Sequence, residues 1–216
     1  MLSVKLESVT IVILSDGNNP RLLNQDFLER NNIVPKEWKV KDVLVTPPFA
    51  QVSYDNGIQI LVEENKLQFQ VSKPGDSIWK NELPGIALSY MNVLPHVPYR
   101  AVGINMVYLS DHPKGNEAEQ ELIGKLLQQG PWINYGQGVT GAVLELQYRA
   151  TQPHMNVKIG VLEEVGVTGR SLAGFLFRVN FHNDFNPEQT DVRKAYIDSI
   201  GDRYQEFMNY LKTLPF

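Results

Sequence analysis

The sequence predicts an α+β protein in which one long antiparallel sheet carries helices on one face. The first observation is a clean alternation of apolar and polar residues over several short segments, which is typical of strands with one buried and one wet face. The second is the order of elements, which is strand, helix, three strands and helix in each half of the chain. We therefore expect tandem β-α-β-β-β-α repeats, over residues 1–96 and 97–216, in one compact pseudo-twofold unit.

The first half begins with a continuous apolar run at 9–14, which predicts a buried strand. Asn19-Pro20 is typical of a helix start, because Asn caps free N–H groups and proline suits the first turn. The spacing of the apolar residues continues that helix to about Asn31. A meander then covers 50–54, 58–62 and 67–71, with a hairpin signal at Asp55-Asn56-Gly57. A helix over 84–94 completes the half.

The second half follows the same order. A strand at 101–109 precedes a helix that Asn116 caps, with Glu119 three residues later as in a capping box. Three strands are predicted at 143–150, 155–161 and 172–181. Asn186-Pro187 opens a single final helix, whose apolar stripe is the most regular in the chain. The members of this stripe are Val192, Tyr196, Ile200, Tyr204, Phe207, Met208 and Leu211.

The two halves also agree in some residues. Leu14-Ser15-Asp16 reappears as Leu109-Ser110-Asp111, and Trp38 has a counterpart in Trp132. Two such halves can join edge to edge, which hides one exposed strand edge of each. The alternative is a helix-grip fold, in which a curved sheet wraps the last helix around an apolar ligand cavity.

This element order resembles the saddle of the TATA-binding protein. It also resembles a sporadically distributed bacterial family of unknown function, through the segments Tyr99-Arg100-Ala101-Val102-Gly103-Ile104-Asn105 and Phe177-Arg178-Val179-Asn180-Phe181. Neither resemblance implies a catalytic residue. A saddle that binds the minor groove needs apolar wedges on its open face, and the open face predicted here is polar and mixed in charge.

Composition excludes several classes of function. With 20 basic and 24 acidic residues the net charge is −4, so we expect no nucleic-acid partner. The chain has no long apolar run and no visible signal peptide, so we expect a cytoplasmic protein with no membrane contact. It has no cysteine, which excludes disulfides, thiolate metal sites and cysteine nucleophiles.

Motifs for catalysis or cofactor binding are weak. His182-Asn183-Asp184 and Asp111-His112 each end a predicted strand and could together hold a metal or form a general base with its orienting acid, but they lack fixed ligand spacing. The glycines of Gly136-Gln137-Gly138-Val139-Thr140-Gly141 are followed by a strand, whereas a phosphate loop needs a helix. We therefore assign no catalytic residue, metal ligand or cofactor.

The most informative pattern is the set of polar residues that alternates with the core. Because successive side chains of a strand point to opposite faces, these residues are predicted to share the open face. They are Gln68, Gln70, Glu145, Gln147, Arg149, Lys158, Arg178, Asn180 and His182. The leading hypothesis is a non-enzymatic module that binds a protein partner or a second copy of itself on this face. The alternatives are a helix-grip binder of an apolar small molecule and a hydrolase-like enzyme that uses the region of His182.

Overall fold

The computed structural model describes residues 2–46, 48–75, 77–111, 117–149, 153–165 and 171–216. They form an α+β structure with one open antiparallel sheet of nine strands and five α-helices. The strands are β1 (Lys5–Ser15), β2 (Val40–Val45), β3 (Phe49–Tyr54), β4 (Ile58–Glu63), β5 (Lys66–Ser72), β6 (Tyr99–Asp111), β7 (Leu144–Tyr148), β8 (His154–Val165) and β9 (Ser171–Asp184). The helices are α1 (Gln25–Arg30), α2 (Leu83–Val93), α3 (Ala118–Leu126), α4 (Thr190–Asp198) and α5 (Ile200–Leu211).

The strand order across the sheet is β2-β3-β4-β5-β1-β6-β9-β8-β7. The two central strands, β1 and β6, pair from Lys5 opposite Leu109 to Ser15 opposite Tyr99. On its other side, β1 pairs with β5, and β6 pairs with β9. In both cases the partner is the last strand of the meander that follows the central strand in the chain. The first strands of the two halves therefore meet in the middle of the sheet, where neither presents a free edge.

The register places an unbroken apolar row across all nine strands. From edge to edge it consists of Val43, Val52, Ile60, Phe69, Ile11, Ile104, Phe181, Met155 and Tyr148. The seven members between the two edge strands are buried, whereas Val43 and Tyr148 at the edges are exposed. This row lies on the core face of the sheet.

Aromatic side chains join the helices to this core face. Tyr90 of α2 meets the ring of Phe69 edge to face, with 5.8 Å between the ring centroids. Phe207 of α5 stacks on Tyr108 at 4.6 Å and meets Phe177 edge to face at 6.0 Å. All five side chains are almost completely buried, and three of them, Tyr108, Phe177 and Phe207, pack together between β6, β9 and α5.

Two predicted helices differ from the structure. The helix predicted from Asn19 is a short 3₁₀ turn, and α1 begins only after Asn24, whose side chain accepts the N–H of Phe27. The predicted single final helix is divided at Ser199, which lies between the end of α4 at Asp198 and the start of α5 at Ile200. The hydroxyl of Ser199 donates to the carbonyl of Tyr196. Val192 was predicted in the apolar stripe, but it is 54% exposed, because the buried side of α4 consists of Arg193, Tyr196 and Ile197.

The sequence analysis did not predict strand β2. β2 lies at the edge of the sheet, where five of its six residues are exposed, so its sequence carries no alternation of buried and wet positions. The predicted cap Asn116, His112 and the strand end at Ala150 lie outside the described residues. Within the described part of the chain, no helix has the length and apolar character needed to cross a membrane.

Candidate binding face

The open face of the sheet carries a continuous row of polar side chains, which we call the polar row. Its members occupy one position on each of the nine strands. In order across the sheet they are Asp42, Ser53, Gln59, Gln70, Thr10, Asn105, Asn180, Asn156 and Gln147. The row is next to the apolar row in every strand, and the two point to opposite faces because the side-chain period is two. At about 4.8 Å between strands, the polar row is about 38 Å long.

Eight of the nine sequence-predicted site residues share this face. Gln70, Asn180 and Gln147 belong to the polar row itself. Five others lie two residues along the same strands, and strand geometry returns them to the same face. These are Gln68, Glu145, Lys158, Arg178 and His182. Arg149 follows the last residue of β7 and is exposed, so the sheet register does not assign it to a face.

Side chains of the face form hydrogen bonds with one another. The Asn180 amide donates from Nδ2 to Oδ1 of Asn105 on the neighbouring strand, at 2.9 Å. On the other half of the sheet, Gln68 donates to Gln70 at 3.1 Å, and Gln70 donates to Ser72 at 3.3 Å. Because an amide has two N–H donors and a carbonyl with two lone pairs, each group keeps capacity for a further partner while these bonds hold it in place.

Charged residues gather on the β7-β8-β9 side of the face. Lys158 forms an ion pair with Glu145 at 3.2 Å and lies directly opposite Arg178 on β9. These three side chains line a shallow concavity of about 420 Å³ together with Asn156 and Asn180. The concavity therefore offers two cationic groups for one carboxylate, beside amides that both donate and accept hydrogen bonds.

Aliphatic side chains lie on either side of the polar row. Val107 is opposite Arg178, and Val12 and Leu61 lie on either side of Gln68. All three aliphatic side chains are half-buried. The expected face was polar and mixed in charge, and these aliphatic side chains were not predicted on it, because a valine or leucine in a strand normally indicates the core.

Asn105 and Asn156 were also missed as site residues. A signal for both exists in the sequence, since Asn105 lies between the buried Ile104 and Met106, and Asn156 lies between Met155 and Val157. The same alternation that selected Asn180 would have selected them.

The two strand ends that were considered together for catalysis, at His182 and Asp111, lie far apart in the sheet. His182 Nε2 lies 3.0 Å from Oδ1 of Asp184, but Asp111 is at the far end of β6. His182 is opposite Gly103, whereas Asp111 is opposite Gly174, and eight residues of strand separate these positions by about 27 Å. In the described residues, no three His, Cys, Asp or Glu side chains are grouped to hold a metal ion.

Comparison with known proteins adds no assignment. Neither a scan against protein-family models nor a search of curated proteins finds a match for this chain. The geometry of the open face is therefore the basis on which a function can be assigned.

Proposed function

We propose that this chain is a non-enzymatic binding or assembly module, and that its open sheet face receives a protein partner or a second copy of the chain. The observation that carries the proposal is the polar row, which runs across all nine strands on the face opposite the aromatic contacts with the helices. A stable interface needs about 800 Å² on each partner, and a face about 38 Å wide can supply that area.

The chemistry of the face supports a protein rather than a nucleic acid as the partner. Amides, an exposed ion pair and half-buried Val12, Leu61 and Val107 combine in one surface, as in protein interfaces where apolar area is mixed with hydrogen-bonding groups. Nucleic-acid affinity depends on neutralising many phosphates, whereas Lys158 is already paired with Glu145 and the net charge of the chain is −4.

The proposal extends to the architecture. We infer that the two halves are tandem repeats related by a pseudo-twofold axis, as in the saddle of the TATA-binding protein. The strand order supports this, since it is β1-β5-β4-β3 from the centre in one direction and β6-β9-β8-β7 in the other, with β2 added to the first half. The segment 9–14 should then superpose on 104–109.

The helix-grip alternative is less well supported. It requires an apolar cavity between the sheet and the last helix, whereas Phe207, Tyr108 and Phe177 fill the space that α5 covers. The packed rings favour α5 as part of the hydrophobic core over α5 as the wall of a ligand cavity.

The test removes two arginines from the predicted face. In Arg149→Ala/Arg178→Ala both changed side chains are exposed, so the melting temperature should stay within about 2 °C, as for most surface changes. The matched control is Arg21→Ala/Arg30→Ala, which removes two exposed arginines from the helical layer. Each variant is used for affinity capture from native lysate, and its self-association is measured by sedimentation velocity.

We expect the face variant to lose a captured protein, or a dimer, that the wild type and the control variant retain. A photo-crosslinking residue at Asn156 should join the same partner, whereas one at Gln25 on α1 should not. Unchanged capture and unchanged sedimentation in the face variant would overturn the proposal, because the face would then be solvated without binding anything.

A further inference from the structure

A buried cation lies on the helical side of the molecule, at the start of α4. Arg193 is only 3% exposed. Its Nη1 donates to the backbone carbonyls of Tyr99 at 3.0 Å and Pro187 at 3.4 Å, and its Nη2 donates to the hydroxyl of Thr190 at 3.5 Å. The guanidinium also lies over the ring of Tyr99, with 5.4 Å between Cζ and the centroid.

This cation has no counter-charge within the described residues. None of the ion pairs there includes Arg193, and its Nε is buried without a hydrogen-bond partner. Burial lowers the pKa of Arg193, but a guanidinium stays protonated in proteins. Buried charges are normally paired, whereas the partners of Arg193 within the described residues are neutral carbonyl and hydroxyl oxygens.

A cleft of about 210 Å³ lies against this arginine. Its walls come from the end of α2, the turn before β6 and the first turn of α4. Met91, Val97 and Tyr99 are buried at the cleft, whereas Lys194 and His96 are exposed at its rim. No Asp or Glu is among its lining residues, so both of the permanent charges that line it are positive.

The first turn of α4 forms one wall of this cleft. The Thr190 N–H donates to the carbonyl of Glu188. Asp191 in the same turn carries a carboxylate, which offsets the partial positive charge of this helix end. Thr190, the first residue of α4, lines the cleft. The positive charge at this small volume therefore comes from Arg193 and Lys194.

We propose that this cleft is a binding site for a short-chain monocarboxylate. The carboxylate would supply the counter-charge of Arg193 and Lys194, and its alkyl chain would lie against Met91 and Val97. A cavity of about 150 Å³ holds benzene, with six heavy atoms, so about 210 Å³ suits roughly eight, as in hexanoate. The site is separate from the open face and does not depend on the proposed function.

The experiment titrates the intact protein with sodium hexanoate and follows the Nε–Hε signals of its arginines by ¹H–¹⁵N NMR. We expect one arginine signal to shift saturably, and its absence from Arg193→Lys should assign it. In that variant the charge remains but the planar group with its several donors is lost, so binding should fall at least tenfold. 1-Hexanol and inorganic phosphate are the controls for the alkyl chain and for the anion alone.

A second variant keeps the test decisive if Arg193→Lys fails to fold. Lys194 is exposed, so Lys194→Gln should fold normally and weaken hexanoate binding about two- to fivefold, as for a partly exposed ion pair. The matched control Lys212→Gln, at an exposed lysine after α5, should bind like the wild type. Equal shifts with hexanol, binding of phosphate but not hexanoate, equal weakening in both lysine variants, or no saturable shift would each overturn the proposal.

Discussion

Two adjacent residues of β9 offer a direct test of which face of the sheet is buried. Phe177 is completely buried, with Tyr108 and Ile159 opposite it on the neighbouring strands and Phe207 of α5 at 6.0 Å. The next residue, Arg178, is exposed on the open face. The substitutions Phe177→Ala and Arg178→Ala therefore differ by one position in the chain and should differ strongly in their effect on folding.

The magnitude for Phe177→Ala follows from burial. A buried aromatic side chain removes roughly 150–250 Å² from water, and at about 25 cal/mol per Å² this corresponds to about 4–6 kcal/mol. Alanine keeps part of that area, so we expect a loss of about 3–5 kcal/mol in the free energy of unfolding. For a chain of this size, 1 kcal/mol moves the melting temperature by about 2–4 °C, so the midpoint should fall by at least about 6 °C.

The assay is urea unfolding followed by circular dichroism, with Arg178→Ala as the matched control. We expect the control to stay within about 0.5 kcal/mol of the wild type. The double variant Phe177→Ala/Phe207→Ala should lose less than the sum of its two single changes, because the two rings contact each other. The assignment of the faces would be refuted if Phe177→Ala lowered the free energy of unfolding by less than about 1 kcal/mol, or if Arg178→Ala lowered it by more than Phe177→Ala.

Three further outcomes can be measured on the free protein. Burial raises the pKa of six tyrosines above 10, and that of Tyr54 to about 12. Because the unfolded chain then loses its tyrosine protons at lower pH than the folded chain, the free energy of unfolding should fall as the pH rises above 10. Unfolding experiments at pH 9 and pH 11 measure this difference. The six are Tyr54, Tyr90, Tyr99, Tyr108, Tyr196 and Tyr210. Gly174→Ala should destabilise by about 1–3 kcal/mol in urea unfolding, since its methyl group would collide with the backbone oxygen of Ser110. Gly201→Ala in α5 meets open space and should stabilise by up to about 1 kcal/mol; equal effects at the two glycines would contradict this. Val43→Lys should leave the melting temperature within about 2 °C, because Val43 is 44% exposed on an edge strand, and a larger fall would contradict its exposure.

The sequence predicts the two faces of the sheet correctly where buried and exposed residues alternate along a strand. Leu67, Phe69 and Val71 are buried and the residues between them are not, so the faces of β5 can be read from the chain alone. β2 has no such contrast because an edge strand with little cover exposes both of its sides, as Val43 and Leu44 illustrate. The division of the last helix into α4 and α5 could not be predicted from the sequence either, because the apolar residues on both sides of Ser199 keep a helical spacing.

The cleft at Arg193 could not have been predicted from the sequence. Arg193 and Tyr99 are 94 residues apart, and neither belongs to a local motif. An arginine on an amphipathic helix normally indicates a solvated position, and only the structure reveals that the first turn of α4 packs its guanidinium against backbone carbonyls of two other segments. Long-range packing of this kind leaves no periodic signal in the chain.

The charges on the open face give a physical reason for it to be a binding surface. Lys158 and Arg178 are directly opposite each other on adjacent strands, an arrangement that costs stability because like charges repel across a sheet. Glu145 compensates Lys158, and none of the ion pairs within the described residues includes Arg178. A carboxylate brought by a partner would relieve that repulsion. Under the proposed function, loss of Arg178 should weaken partner binding while the free energy of unfolding stays the same or rises by at most about 0.5 kcal/mol, which is the combination that separates a binding face from a face that is only solvated.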